Sequence, residues 1–222
     1  MVKGSAKCNF AELPCLYTNG FCYTFVMSHH IYTTPGFVIG SRPQGEANKY
    51  LYIFTRDLGM VGASAQGVRL EKSKLRYHVQ DFSYSIFSLV RGKEVWRMTS
   101  AADSAGLLSA ITSNERYFEI YVKILSLLKR LLHGEEKHEA LFDVCISGFT
   151  FLSDSEADEP FLRNFECLIV LRTLHLLGYI GKVKELEGFL SIEWSKEIVG
   201  NAGSHKKRIV EEINRALQES QL

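Results

Sequence analysis

Hydrophobic and polar positions change period once along this chain, near residue 101. Ahead of that point apolar residues come in short runs at strand spacing. "GFVIGS" (36–41) is a compact apolar segment, and "KYLYIFT" (49–55) alternates, with Tyr50, Tyr52 and Phe54 on one face and Leu51, Ile53 and Thr55 on the other. Gly59 marks a turn into "MVGASAQGVR" (60–69), whose small residues allow close sheet packing. "DFSYSIFSLV" (81–90) alternates through Phe82, Tyr84 and Ile86, then slips phase to Phe87 and Leu89, which predicts a β-bulge. "RGKE" (91–94) makes the next turn and "VWRMTSA" (95–101) the fifth strand. Five short strands in about seventy residues, with no helix long enough to cover a parallel sheet, predict a small closed antiparallel barrel such as an OB-fold.

Beyond residue 101 the period is helical. Thr112 and Glu115 read as a T-x-x-E capping box, and "YFEIYVKILSLLKRLLH" (117–133) sets Tyr117, Tyr121, Ile124, Leu128 and Leu131 along one stripe. A second helix is predicted over 137–152, followed by the acidic loop of "GFTFLSDSEADE". Pro160 opens a third, "FLRNFECLIVLRTLHLL" (161–177), which Gly178 stops as a C-cap. The last amphipathic helix runs through "HKKRIVEEINRALQES" (205–220). The fold class is therefore α+β: an N-terminal OB-fold β-barrel over 27–101, then an all-α helical domain over 102–222. Residues 1–26 show neither period and are read as an extension, disordered or upstream of the true start.

Composition narrows the function classes. Hydrophobic residues make up 46% and aromatics 12%, a globular mix. No apolar run approaches the roughly 18 residues that span a bilayer. No convincing small-residue cleavage site follows "GFCYTFVM" (20–27), so no secretory signal is read. Five cysteines without a CxxC pair argue against a disulfide framework and a zinc ribbon, so a reducing cytoplasm is expected. Cys8, Cys15 and Cys22 recur at intervals of seven but make a poor tetrahedral zinc set. We assign no metal and no cofactor. Overall charge is +1, yet residues 27–100 carry ten Lys/Arg against five Asp/Glu while 101–222 carry fourteen against nineteen. A basic front half suits a polyanion.

Catalytic signatures are missing. There is no G-x-x-x-x-G-K-[ST], and "GNAGSHKK" (200–207) has the wrong spacing for a phosphate loop. Neither G-x-S-x-G nor H-E-x-x-H occurs. His29 and His30 are adjacent and would point to opposite faces of a strand, while His133, Glu136 and His138 read as solvated surface. No catalytic residue is assigned, and the chain is read as a binding protein rather than an enzyme.

The run "GEANKYLYIFTRDLGMVGASAQGVRLEKSK" (45–74) resembles the N-terminal segment of the bacterial recombination mediator RecO family. Glu46, Lys49, Phe54, Thr55, Gly59, Ala63, Ala65, Gly67, Arg69, Lys72 and Ser73 stand at the positions of its pattern. "QDFSYSIFSLVRGKEVWRMTSA" (80–101) is similar to the family's last barrel strands, and "FLRNFECLIVLRTLHLLGYI" (161–180) to its central helix ending in Leu-Gly-Tyr. Gln66 stands where Lys is common in the family, and Leu70 where a second basic residue is frequent. No cysteine follows Cys167, so the chain resembles the zinc-free type. The resemblance puts the natural start near Met27.

That likeness implies a mediator of DNA repair and homologous recombination that binds single- and double-stranded DNA and anneals complementary strands. With RecR it would help load RecA onto strands coated by single-stranded DNA-binding protein (SSB), in a bacterial, nucleoid-associated setting. Any dependence on RecF is left open. OB barrels hold strands by a basic groove and by aromatics that stack on bases. The candidate charge contacts are Lys49, Arg56, Arg69, Lys72, Lys74, Arg76, Arg91 and Lys93, and the candidate stacking residues are Tyr50 and Tyr52. Arg116, Lys123 and Arg130, seven apart on the first long helix, are candidates for the acidic, Phe-ending tail of SSB. Read without the resemblance, the residues leave open an RNA-binding OB module fused to an interaction bundle, since basic loops do not tell RNA from DNA.

Overall fold

Alternation along the first half closes a barrel. The computed structural model describes residues 30–103, 106–181 and 183–219, together with strands β1 (Leu16–Thr18) and β2 (Phe21–Tyr23), which pair antiparallel. The extension read over 1–26 otherwise lies outside the described residues, as do Cys8 and Cys15. Ile31–Leu222 form one compact unit, separate from Met1–His30. Within it, β3 (Ile31–Gln44), β4 (Asn48–Thr55), β5 (Gly59–Ala65), β6 (Tyr84–Arg91) and β7 (Trp96–Asp103) close in the order β3-β4-β5-β7-β6. All neighbours are antiparallel except β5 and β7, which pair in parallel. Val38, Leu51, Ile53, Val61, Ala63, Phe87, Leu89, Trp96 and Met98 fill the interior. This is the OB-type barrel, with the expected strands in the expected sequence.

Two details differ from the sequence reading. In β6, Ser85, Phe87 and Leu89 point inward without interruption, while Tyr84, and Phe82 just ahead of the strand, pack against the helical core. The slip from Ile86 to Phe87 is thus a step from an exposed apolar side chain on the outer face to a buried one on the inner, and the register shift against β7 comes later, between Ser88 and Leu89. A second shift, between Val38 and Gly40 of β3, left no mark in the hydrophobic pattern.

Helices α1 (Leu107–Thr112), α2 (Glu115–Leu131), α3 (Glu139–Ser153), α4 (Glu159–Leu176) and α5 (Lys196–Glu219) follow, with a 3₁₀ turn at Lys184–Phe189. The stripe Tyr117, Tyr121, Ile124, Leu128 and Leu131 is buried as expected. Thr112 does not cap α2. Its hydroxyl donates back to Leu108 O within α1, and Asn114 Oδ1 instead accepts from the Arg116 and Tyr117 amides. Asn one residue before the first turn is the better-placed N-cap. Asp158 caps α4 through the Phe161 amide, and Gly178 ends it at φ 81°, a left-handed conformation that favours glycine. The last helix begins nine residues before the predicted start, because Val199 and Ala202 extend its buried stripe through the "GNAGSHKK" segment. Between α4 and the 3₁₀ turn, the buried Arg172 donates Nε to Phe189 O and stacks 4.0 Å over Trp194. Burial lowers its pKa to about 10.

Barrel and helices share one core. Phe37, Ile39 and Phe54 leave the barrel's outer face and enter the same cluster as the buried residues of α2, α3 and α4. Phe37 has ring neighbours in Tyr84 (4.7 Å), Phe142 (5.1 Å), Phe149 (5.9 Å) and Tyr121 (6.2 Å). Truncating such a ring forfeits its transfer energy and leaves a cavity. Phe37→Ala is therefore expected to lower stability by about 3–5 kcal/mol in urea titration, with barrel and helices still unfolding in a single transition. Asn114→Ala should cost about 1 kcal/mol and Thr112→Ala less.

Candidate nucleic-acid interface

The loop between β5 and β6 is pinned at both ends. Gly67 enters it at φ 66°, its amide donating to Asn48 Oδ1 at 2.9 Å. At the far end Phe82 takes φ 67°, an unfavourable conformation for a bulky residue. The Phe82 amide donates to Val38 O, and Phe82 O accepts from the Tyr121 hydroxyl at 2.9 Å. Between these ends Val68 and Val79 are buried in the barrel core, so the Lys72–Arg76 stretch is carried on a fixed frame.

Three of the expected cations meet there. Lys49, Arg69 and Arg76, with Val68, Val79 and Gln80, line a cavity of about 460 Å³. Lys49 shares the inward parity of Leu51 and Ile53, and its Nζ donates to Val79 O at 3.4 Å. Arg69 Nη1 donates to Gly45 O at 2.8 Å. Lys72 and Lys74 are exposed on the same loop, and Lys93 on the β6–β7 turn. Among the described residues none of these six cations faces a carboxylate, so their charge is available to an anion.

Strand alternation places Tyr50 and Tyr52 on the opposite face of β4 from Lys49. The expected single groove is therefore two surfaces. On the barrel's outside, cross-strand register builds a row Arg42, Tyr50, Ser64, Arg97 over four strands. Arg42 lies over the Tyr50 ring at 4.8 Å, Tyr50 and Tyr52 meet edge to face at 5.3 Å, and Lys129 of α2 stands 6.0 Å from the Tyr52 ring. Gly62 is what lets Tyr50 lie flat across β5, because its phenol end occupies the place a Cβ would take. One step along β4 the same face is Phe54, fully covered by helices. Arg42, Arg97 and Lys129 were not singled out in the sequence, since their position beside the tyrosines depends on register and on the seating of α2.

Other expected cations are held by carboxylates. Arg56 makes a two-pronged contact to Asp143 of α3 at 2.8 and 2.9 Å, and that hydrogen-bonded carboxylate raises its pKa. Arg91 pairs with Glu135 between α2 and α3 and lies 4.9 Å over Trp96, whose Nε1 also donates to Glu135. Both tie the barrel to the helical half. Arg116 pairs with Glu119 and Glu159, and Lys123 with Glu119 (3.0 Å) and Glu166 (3.4 Å), clamping α2 to α4. Arg130 is exposed and makes no ion pair among the described residues. No group of three His, Cys, Asp or Glu that could hold a metal occurs among the described residues. Burial pushes the Cys145 thiol up to about 12, away from nucleophilic use. No described helix is long and apolar enough to cross a membrane.

A closed five-stranded barrel of this order, with unpaired cations at one end and cation-flanked tyrosines outside, defines an OB-fold protein extended by a helical bundle. Residues 27–105 match the family described as Recombination protein O N terminal. That segment is similar to the RecO N-terminal domain, and the chain as a whole is similar to bacterial RecO proteins. It is 28% identical over 156 residues to the DNA repair protein RecO of Dehalococcoides mccartyi, covering 70% of this chain and 60% of that protein. Against the RecO of Alkaliphilus metalliredigens it is 30% identical over 159 residues, 71% of this chain and 61% of the other. A third relative, from Haemophilus influenzae, is 28% identical over 144 residues, 65% and 58% of the two chains. The chain thus spans about three fifths of the length of these relatives.

The α2–α4 clamp predicts a pH dependence. Hydrogen bonds from Lys123 and Arg116 hold Glu119 and Glu159 below the ordinary carboxylate range. Groups whose folded pKa is depressed stabilise the fold above their unfolded value, and that contribution fades as pH falls through the folded one. Melting temperature should be level from neutrality down to about pH 5 and decline below it, and Glu159→Gln should shrink that decline. Calorimetry across pH checks this.

Proposed function

We propose that this chain serves DNA repair and recombination by binding single- and double-stranded DNA, annealing complementary strands and, with RecR, helping RecA load onto SSB-coated strands. The observation that carries the reading is the convergence of Lys49, Arg69 and Arg76 on one cavity beside the unpaired Lys72 and Lys74. The relatives named DNA repair protein RecO supply its biological setting. Annealing makes and breaks no covalent bond. Cations that neutralise phosphates on two strands lower their repulsion, and release of condensed counterions drives association. The outer row with Tyr50 offers a second place where a strand could be held, and two cationic surfaces on one small barrel suit a protein that brings two strands together. For the acidic SSB tail, the free charge at the end of α2, Arg130 with Lys129, is better suited than Arg116 or Lys123, whose charge carboxylates already answer.

Fluorescence anisotropy of a labelled oligonucleotide over a salt series tests this. The Lys72→Ala, Lys74→Ala, Arg76→Ala triple variant should weaken single-strand binding and reduce the salt slope by about 2, at about 0.7 per lost phosphate contact. Arg56→Ala should leave the slope unchanged and instead lower stability. No DNA binding at low salt, or tighter binding to structured RNA, would overturn the reading.

A further inference from the structure

The loop that bears the cations also exposes one aromatic. Tyr77 is 75% exposed, more than any other large hydrophobic side chain among the described residues. Its side chain makes no hydrogen bond, ion pair or ring contact among them. This exposure is not looseness. The ring follows directly on the 3₁₀ turn Lys74–Arg76, and Val79, two positions on, is 1% exposed in the barrel core. The next anchor is the Ser83 hydroxyl, which donates to His78 O at 2.7 Å.

Beside the ring lies a second cavity, of about 320 Å³, whose lining includes Tyr77, His78, Tyr84, Leu108, Ser109 and Thr112. The lining is thus part aromatic, from the loop and β6, and part α1, which brings Leu108 with two hydroxyls whose protons are already given to the backbone, Ser109 to Gly106 O at 2.6 Å and Thr112 to Leu108 O at 2.8 Å. Their oxygens keep lone pairs for a donor. The loop is accordingly a ridge between two unlike cavities: Arg76, Val79 and Gln80 face the cationic one, and Tyr77 and His78 the aromatic one.

We propose that Tyr77 and this second cavity form a slot for one unpaired nucleobase of a strand whose phosphates run along Lys72, Lys74 and Arg76. An exposed ring amid unpaired cations matches a single strand, which offers bare base faces and a charged backbone at once. A duplex does not, because its bases are stacked on one another. The inference rests on the proposed nucleic-acid reading and goes beyond it in separating base contact from charge contact.

The test uses the full chain and compares Tyr77→Ala and Tyr77→Trp with wild type, on an oligo-dT single strand and on a duplex of equal length. Tyr77→Ala should lose about 5- to 150-fold in single-strand affinity, the range of one stacked base, with its salt slope, melting temperature and duplex affinity unchanged. Tyr77→Trp should retain single-strand affinity. Wild-type chain that binds no DNA would overturn the underlying reading and the slot with it. Wild-type binding with Tyr77→Ala unaffected on the single strand, or weakened equally on single strand and duplex, would overturn the slot alone.

Discussion

The packing of Phe37 against Tyr84, Tyr121, Phe142 and Phe149 is the contact on which the rest of the molecule depends. It sits where a barrel strand turns an aromatic outward and two helices close over it. A small barrel with a bare aromatic outer face would be a liability in water. Covered by α2 and α3, that face becomes part of the core. The Tyr121 hydroxyl then reaches Phe82 O, at the point where the cationic loop ends in a left-handed residue. The joint between the two halves thus also fixes the loop that carries the free charge.

This arrangement sorts the basic residues by a simple physical criterion. A guanidinium or ammonium facing a carboxylate has its field answered locally, and removing it mostly costs stability. Arg56, Arg91, Arg116 and Lys123 are of this kind, each bridging elements distant in sequence. Cations without such a partner project their field into solvent, and on the barrel they gather at the Lys49 cavity, along the loop and beside Tyr50. Near-neutral net charge conceals this sorting completely.

Much of the architecture was legible in the chain because it is written in short-range periods. Five strands, the α2 stripe and the Gly178 stop all follow from neighbours within a few residues. Where two local signals competed, as at Thr112 and Asn114, the pattern alone chose the wrong cap. In β6, an apolar but exposed Ile86 on the outer face imitated a bulge. The candidate interface could be read in the sequence only as residue types, not as a surface. Lys49 and Tyr50 are adjacent in sequence and opposite in space, and the carboxylate that takes up Arg56 lies 87 positions away. Arg42, Arg97 and Lys129 join the tyrosines only through strand register and the seating of α2.

Hydrogen–deuterium exchange of the whole chain, with and without saturating oligo-dT, would show most directly where nucleic acid meets the barrel. Slowed exchange is expected in the amides of residues 66–83 and in the outer rows of β3, β4 and β5, with the α2–α4 clamp unchanged. Protection confined to the helices, with the 66–83 loop indifferent to the oligonucleotide, would contradict the assignment of the barrel's unpaired cations as the binding surface.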